Sequence, residues 1–190
     1  MKEIIDKEIT EHLRAAKLLY SLSDDIASSA MLCINCLNTG GKILICGNGG
    51  SAADAQHFAA ELVGRYKTNR KGIAAIALTT DTSALTSIGN DFGFDYVFER
   101  QVEALAKKGD VVIGISTSGR SKNISSALKL ASKSSCKTIG LSGKDGGEMN
   151  KICNINLTAP SMETPRVQEI HIAIIHIICH LIDQEFSSNS

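Results

Sequence analysis

The chain has 190 residues, 43% of them hydrophobic, and its 20 basic and 20 acidic residues leave no formal net charge. This length and composition predict one globular domain with a buried core and exclude a disordered chain. The charge balance offers no basic surface of the kind that binds nucleic acids, so we expect no nucleic-acid partner.

Two amphipathic helices are predicted before residue 40. Apolar residues recur at helical spacing over 5–16 and again over 26–37, and Gly40 follows the second pattern where a helix commonly ends. The second pattern contains Cys33 and Cys36 in a C-x-x-C arrangement, but no second cysteine pair has matching spacing. We interpret these thiols as buried residues of a helix face, in preference to a zinc or redox pair.

From residue 42 onward, strands and helices alternate. The predicted strands cover residues 42–46, 73–78, 111–115, 137–141 and 152–157. The predicted helices cover residues 51–66, 82–90, 94–106, 122–133 and 165–186. This alternation predicts an α/β fold whose five-stranded, mainly parallel sheet carries helices on both faces. Ligands of such sheets bind beyond the carboxyl ends of the strands.

Targeting and membrane segments are not expected. Residues 1–7 carry acidic side chains and no long apolar core, which is unlike a signal peptide. The most apolar late stretch, 170–182, is too short and too rich in histidine for a membrane span. We therefore expect a cytoplasmic protein without a membrane partner.

Two loops of small residues follow predicted strands and open predicted helices, at 47–52 and 116–121. Glycines let a backbone approach an anion, and the unpaired N–H groups at a helix start attract negative charge. Either loop alone is compatible with a structural turn. Together they suggest one phosphorylated ligand, with its phosphate on the second loop.

The first loop also matches the dinucleotide pattern G-x-G-x-x-A. That pattern requires an acidic residue about 20 positions later, whereas the first acid beyond the second predicted strand is Asp81, much further on. The Walker A pattern is absent as well. We therefore expect no nucleotide or organic cofactor.

Candidate acid and base residues lie on two of the predicted helices. His57 and Glu61 are four residues apart and share one helix face, where a solvated pair is the simpler alternative. Gln168 and His176 are about two helical turns apart on the last helix, so both can reach one pocket. The alternative for His176 is an ordinary core histidine, which is also our interpretation of His171.

Asp91 lies in a turn-rich junction at residues 90–94. Its carboxylate is able to accept hydrogen bonds from ligand hydroxyls. A plain turn explains the same residues equally well, so both interpretations stay open.

Seven segments together resemble the sugar isomerase (SIS) domain of phosphoheptose isomerases: 47–51, 57–62, 64–66, 89–94, 114–119, 143–147 and 166–171. The resemblance covers nearly the whole chain. It implies a single SIS domain over 1–190 with a flavodoxin-like three-layer sandwich. Residues 1–40 would form N-terminal helices for oligomerisation and 41–190 the α/β core. It also implies a homotetramer with active sites between subunits.

The activity implied by the resemblance is the interconversion of D-sedoheptulose 7-phosphate and D-glycero-D-manno-heptose 7-phosphate, the first step toward the heptose of bacterial surface polysaccharides. Glu61 would be the base that moves a proton between C1 and C2, and His176 the partner acid or base. The implied substrate-binding residues are Asn48, Gly49, Gly50, Ser51, Arg65, Asp91, Ser116, Thr117, Ser118, Ser121 and Gln168.

Some members of the family carry zinc. The matching ligand positions are His57, Glu61, Gln168 and His176, and a metal-free proton relay would use the same residues equally well. One departure from the family pattern is Pro165, which stands where some relatives have an aspartate that contacts the substrate. This departure concerns one sugar contact and leaves the implied reaction unchanged.

Three other functions compete with the isomerase. Non-catalytic SIS proteins that bind a replication initiator protein lack the residues corresponding to Glu61 and His176, and both are present here. Regulatory SIS modules usually sit beside a DNA-binding domain, for which this chain has no room. Segments 89–94 and 166–171 argue against an isomerase of hexulose or arabinose phosphates. The sequence leaves open which polysaccharide pathway uses the product.

Overall fold

The structure, a computed structural model, describes residues 1–187. Eight α-helices are found in this range: α1 (Lys2–Leu18), α2 (Ser23–Asn38), α3 (Gly50–Val63), α4 (Thr82–Asp91), α5 (Glu99–Leu105), α6 (Lys122–Lys133), α7 (Met149–Ile152) and α8 (Thr164–Ser187). The five strands are β1 (Ile43–Gly47), β2 (Ala75–Ala77), β3 (Val111–Ser116), β4 (Lys137–Gly143) and β5 (Ile155–Ala159). Short 3₁₀ turns cover Leu19–Leu22 and Phe94–Tyr96.

The strands form one parallel sheet in the order β2-β1-β3-β4-β5. The chain leaves β1 toward the β2 edge and then returns across the sheet to β3, so the direction of winding reverses between β1 and β3. In open α/β sheets, this reversal creates a crevice outside the carboxyl ends of the two strands. The loops at 47–52 and 116–121 lie at those ends.

Both faces of the sheet are covered, which confirms the predicted three-layer sandwich. Side chains alternate along β1, so Ile43 and Ile45 belong to the core shared with α2, α3 and α8. Leu44 and Cys46 belong to the core on the opposite face, with residues of α5 and α6. Every residue of β1 and β3 is buried, as expected for central strands of a covered parallel sheet.

Several predicted boundaries differ from the structure. The predicted helix at 94–106 is interrupted, because a 3₁₀ turn at Phe94–Tyr96 precedes α5. The fifth strand, predicted to begin at residue 152, begins at Ile155, because Met149–Ile152 forms the short helix α7. The strand predicted at 73–78 is reduced to Ala75–Ala77, at the sheet edge where only β1 pairs with it. The last helix starts at Thr164, and Pro165 lies in its first turn as predicted.

Within residues 1–187, none of the helices combines the length and apolar character that spanning a bilayer requires.

His171 is a core histidine that connects α8 to the end of β4. Its side chain is fully buried, and Nε2 lies 2.8 Å from the carbonyl oxygen of Ser142, so Nε2 carries the proton and donates. Nδ1 is buried and has no hydrogen-bond partner among residues 1–187. Burial lowers the pKa of His171 to about 4, although the bond to Ser142 acts in the opposite direction.

We expect this histidine to make the fold acid-sensitive. Between pH 6.5 and about pH 4, His171 binds a proton in the unfolded chain but stays neutral in the folded chain. The free energy of unfolding therefore falls until the pH reaches about 4, by a few kcal/mol. Urea unfolding at pH 7, 6 and 5 measures this slope in wild type, in His171→Gln and, as a control, in His180→Gln. An unchanged slope in His171→Gln would contradict the assignment.

Candidate active site

Three serine hydroxyls meet where β3 passes into α6. Ser116 is the last residue of β3, and its Oγ lies 2.9 Å from Oγ of Ser121 and 3.5 Å from Oγ of Ser118. Thr117 lies half-buried in the turn between them. Ser121 is the N-cap of α6, yet its side chain makes no capping hydrogen bond. The serine hydroxyls thus meet at the N-terminus of α6, a place that suits a phosphate, while the N–H of Ile124 is already taken by Asn123 Oδ1.

The first loop brings backbone close to α8. Gly49 has a φ of +57° at the N-cap of α3, a conformation that favours glycine. A Cβ added to Gly50 would lie 2.4 Å from Nε2 of Gln168, so the Gln168 side chain lies directly over this glycine. Ser51 is buried in the first turn of α3. The loop and Gln168 therefore form one continuous wall.

A pair of amides joins the two loops. Asn48 Nδ2 donates to Asn123 Oδ1, and Asn123 Nδ2 donates to Asn48 Oδ1, each at 3.0 Å. Asn123 is only 3% exposed. The amide of Asn48, expected to bind substrate, is thus partly occupied in positioning α6. Sequence reasoning missed Asn123, and its one available signal is an amide in the first turn behind a serine-rich loop.

The predicted acid and base residues converge where α3 crosses α8. The Nε2 atoms of His57 and His176 are 2.9 Å apart, and His57 Nε2 is 3.5 Å from Glu61 Oε1. At 2.9 Å one imidazole must donate and the other accept, because two bare lone pairs would repel. The Glu61 side chain is 23% exposed, so it is partly shielded yet reachable from solvent. Glu61 and His176 both face the same atom, Nε2 of His57, so a carboxylate and two imidazoles here can hold protons around one shared point.

Tyr66 covers one side of His176. The two ring centroids are 5.8 Å apart, and His180 lies 6.1 Å from the same tyrosine ring. Burial raises the pKa of Tyr66, and the nearby Cys179 and Glu61 raise it further. The phenol therefore keeps its proton at neutral pH and remains a hydrogen-bond donor beside the histidines.

A buried ion pair that sequence reasoning missed fixes α3 against α8. Arg70 Nε donates to Asp183 Oδ1 at 2.9 Å, and both side chains have no exposed surface. Arg70 also donates to the carbonyl oxygens of Glu61 and Leu62, each at 2.9 Å, where α3 ends. Burial by itself would raise the pKa of Asp183, but the hydrogen bonds from Thr68, Arg70 and Lys67 lower it.

Two predicted site residues lie apart from this cluster. Arg65 is exposed just beyond the end of α3, and Asp91 is exposed at the end of α4. Asp91 Oδ1 accepts a hydrogen bond from its neighbour Asn90 at 2.8 Å. The described chain does not bring either residue into hydrogen-bonding contact with the two loops.

The donors at the α3–α8 crossing fit zinc in their chemistry. Two imidazole nitrogens and a carboxylate are ligands that zinc takes in catalytic sites, and tetrahedral geometry separates two such nitrogens by about 3.3 Å. The His57–His176 separation of 2.9 Å is a few tenths shorter. In the part of the chain that the structure describes, no three His, Cys, Asp or Glu side chains form a ready-made cluster for a metal. Binding would therefore need a small outward shift of these side chains.

The sheet order, the paired loops and the serine cradle define a sugar isomerase domain protein, and a family model described as SIS domain matches residues 7–143. Phosphoheptose isomerase from Aliarcobacter butzleri is 59% identical over 188 residues, which cover 98% of this chain and 100% of that protein. Its counterpart from Helicobacter hepaticus is 58% identical, covering 100% of this chain and 96% of that protein.

A solved structure of phosphoheptose isomerase from Neisseria gonorrhoeae matches with a TM-score of 0.92 at 47% identity, covering 96% of this chain and 98% of that one. This chain belongs to the phosphoheptose isomerase family of SIS-domain proteins.

Proposed function

We propose that the protein is a phosphoheptose isomerase that interconverts D-sedoheptulose 7-phosphate and D-glycero-D-manno-heptose 7-phosphate. The observation that carries this proposal is the convergence of Glu61, His57 and His176 at the α3–α8 crossing, in a chain whose two strand-end loops are suited to a phosphate. The names of the relatives point to the same reaction. The non-catalytic alternative fits poorly, because the two residues that such proteins lack are here in one cluster.

The reaction follows from the roles of these groups. Aldose–ketose isomerisation through an enediol requires a base at a carbon-bound proton and an acid at the neighbouring oxygen. Glu61 takes the proton at carbon, and His176, hydrogen-bonded to His57, serves the oxygen. Ser116, Ser118 and Ser121 hold the phosphate several carbons away. Their binding energy orients the sugar without entering the proton transfer.

The direct test is turnover of D-sedoheptulose 7-phosphate by the purified protein. We expect the aldose phosphate as product, and little turnover of sedoheptulose without its phosphate, because the serine cradle then has no ligand. Fructose 6-phosphate serves as a control for a general ketose phosphate isomerase. Turnover of fructose 6-phosphate without turnover of the heptulose would contradict the proposal.

We also propose that His57, Glu61, His176 and Gln168 hold a zinc ion. The zinc ion would replace the hydrogen bond between His57 and His176, because both Nε2 atoms would face the metal, and it would then polarise the carbonyl oxygen of the sugar in place of a proton on His176. We expect purified protein to contain zinc in near-stoichiometric amount by elemental analysis, and His57→Gln to contain far less. The control is His180→Gln, which removes a histidine that lies on α8 with His176 but outside the cluster. Zinc content equal in the two variants, or full activity after chelation, would contradict this assignment.

A homotetramer with shared active sites is our proposal for the assembly. Apolar side chains of α1 are exposed on the single chain, among them Ile4 at 65% and Leu13 at 62%. Ile177 and Leu181 of α8 are also exposed and line an apolar cavity with α1 and α2. Arg65 and Asp91 would then complete the site of a neighbouring subunit. Light scattering of wild type and Leu13→Glu gives the mass that tests this.

We place the reaction in the cytoplasm. All six cysteines are free thiols, and five of them are buried. Unpaired cysteines in this number suit a reducing compartment. The product would enter a bacterial surface polysaccharide.

A further inference from the structure

Residues 143–147, one of the segments that carry the family resemblance, pack directly onto the loop proposed to bind phosphate. We name residues 116–121 the phosphate loop and residues 143–147 the latch loop. A Cβ added to Gly119 would lie 2.2 Å from the carbonyl oxygen of Gly146, and one added to Gly147 would lie 2.5 Å from that of Gly119. Glu148 N also donates to the Gly119 carbonyl at 2.9 Å. Backbone thus meets backbone, which only glycines permit here.

A bidentate ion pair also joins the two loops at the protein surface. Arg120 of the phosphate loop donates from Nη1 and Nη2 to the two carboxylate oxygens of Asp145, at 2.7 and 2.6 Å. Asp145 Oδ1 also accepts from Gly147 N at 3.2 Å. The hydrogen bond from Arg120 is the main cause that lowers the pKa of Asp145 to about 2, so the pair is ionised at every physiological pH.

The same arginine fixes Ser118. Arg120 Nη1 donates to the Ser118 carbonyl at 3.1 Å, and Arg120 N donates to Ser118 Oγ at 3.2 Å. Ser118 Oγ lies 3.5 Å from Ser116 Oγ, inside the serine cradle. Ser118 is one of the residues proposed to bind phosphate. The Arg120 guanidinium therefore connects the position of Ser118 to the carboxylate of Asp145 on the latch loop.

We propose that Arg120 and Asp145 are positioning residues that hold the phosphate loop in its binding geometry before the ligand arrives. Asp145 acts through Arg120 and does not touch the ligand. The inference rests on the proposed function for the identity of the ligand, a sugar phosphate. Exposed ion pairs contribute little to stability, and this one is half-exposed. Its effect is instead on affinity, because a preformed loop loses less conformational freedom on binding.

Charge and positioning predict opposite effects of Asp145→Asn. The substitution removes a negative charge beside the phosphate loop, so an arginine acting only by its charge would bind phosphate more tightly. An arginine that acts by positioning the phosphate loop loses its hydrogen bonds to the carboxylate, so the affinity for phosphate falls. The sign of the change therefore separates the two roles.

The experiment measures the Kd for inorganic phosphate by calorimetry, together with KM, kcat and Tm, in wild type, Asp145→Asn and Arg120→Lys. We expect Kd and KM to rise roughly three- to tenfold in both variants, with kcat within about twofold and Tm unchanged. Arg120→Lys keeps the positive charge but cannot form the bidentate hydrogen bonds to Asp145. Glu148→Gln is the matched control, because it removes the exposed Lys129–Glu148 pair from the same region, and it should leave Kd unchanged.

Phosphate affinity equal to or tighter than that of wild type in Asp145→Asn would overturn the positioning role. A loss of kcat with unchanged Kd would overturn it too. Wild-type protein that binds neither inorganic phosphate nor the heptulose phosphate would overturn the proposed function and this inference with it. Wild-type binding with unaffected variants would overturn only the inference. Ser121→Ala supplies the benchmark for losing a direct phosphate contact.

Discussion

Glu61→Gln is expected to lower kcat for the isomerisation by a factor of about 10² to 10⁴, with KM changed far less. Glutamine keeps the size of the side chain and one hydrogen-bonding oxygen, so its distance to His57 can be maintained. It has no basic oxygen for a carbon-bound proton. The loss therefore falls on the transition state and leaves substrate binding largely intact.

Two measurements locate this loss at the proton abstraction. Steady-state kinetics give kcat and KM, and exchange of the substrate's carbon-bound hydrogen with D₂O reports the proton abstraction alone. Glu103→Gln, the same chemical change at an exposed pair on α5, is the control and should retain wild-type kinetics. Exchange at the wild-type rate in Glu61→Gln would mean that another group is the base.

The central part of the fold follows closely from the sequence. The sequence predicts strand β3 at 111–115, and the structure has it at Val111–Ser116; helix α6 has the predicted bounds. Both succeed because an apolar run buried on two faces, or a strong amphipathic pattern, is determined by local residues. The edge of the sheet follows less closely from the sequence. Strand β2 pairs on one side only, so fewer of its residues are held in extended form.

The candidate site divides in the same way. The spacing of His57 and Glu61 indicates that they share a face, but their approach to His176 depends on how α3 crosses α8, 119 residues away for His57. The reciprocal amide pair of Asn48 and Asn123 spans 75 residues, and the Arg70–Asp183 pair spans 113. Such pairs leave no periodic signal, because each partner looks locally like an ordinary polar residue.

Breaking the Arg70–Asp183 pair by removing one partner should cost more stability than breaking any other ion pair described above. Both side chains are fully buried, and Arg70 binds two carbonyl oxygens at the end of α3 in addition to the carboxylate. Removing one partner leaves an uncompensated charge in the interior. We therefore expect Asp183→Asn to lower the free energy of unfolding by about 3–5 kcal/mol, measured by urea unfolding at pH 7.

Replacing both partners tests whether the buried charge is the cause. The double variant Arg70→Met with Asp183→Leu leaves no unpaired charge, so it should recover part of the stability lost in Asp183→Asn. Removing the exposed Arg100–Glu103 pair with Glu103→Gln should change stability by less than about 1 kcal/mol. A fall of less than about 1 kcal/mol in the free energy of unfolding of Asp183→Asn would contradict the view that this substitution leaves Arg70 as an uncompensated buried charge. Because Arg70 also donates to the Glu61 carbonyl, the recovered double variant should still show reduced kcat: its packing is restored, but the end of α3 that carries the base is no longer fixed.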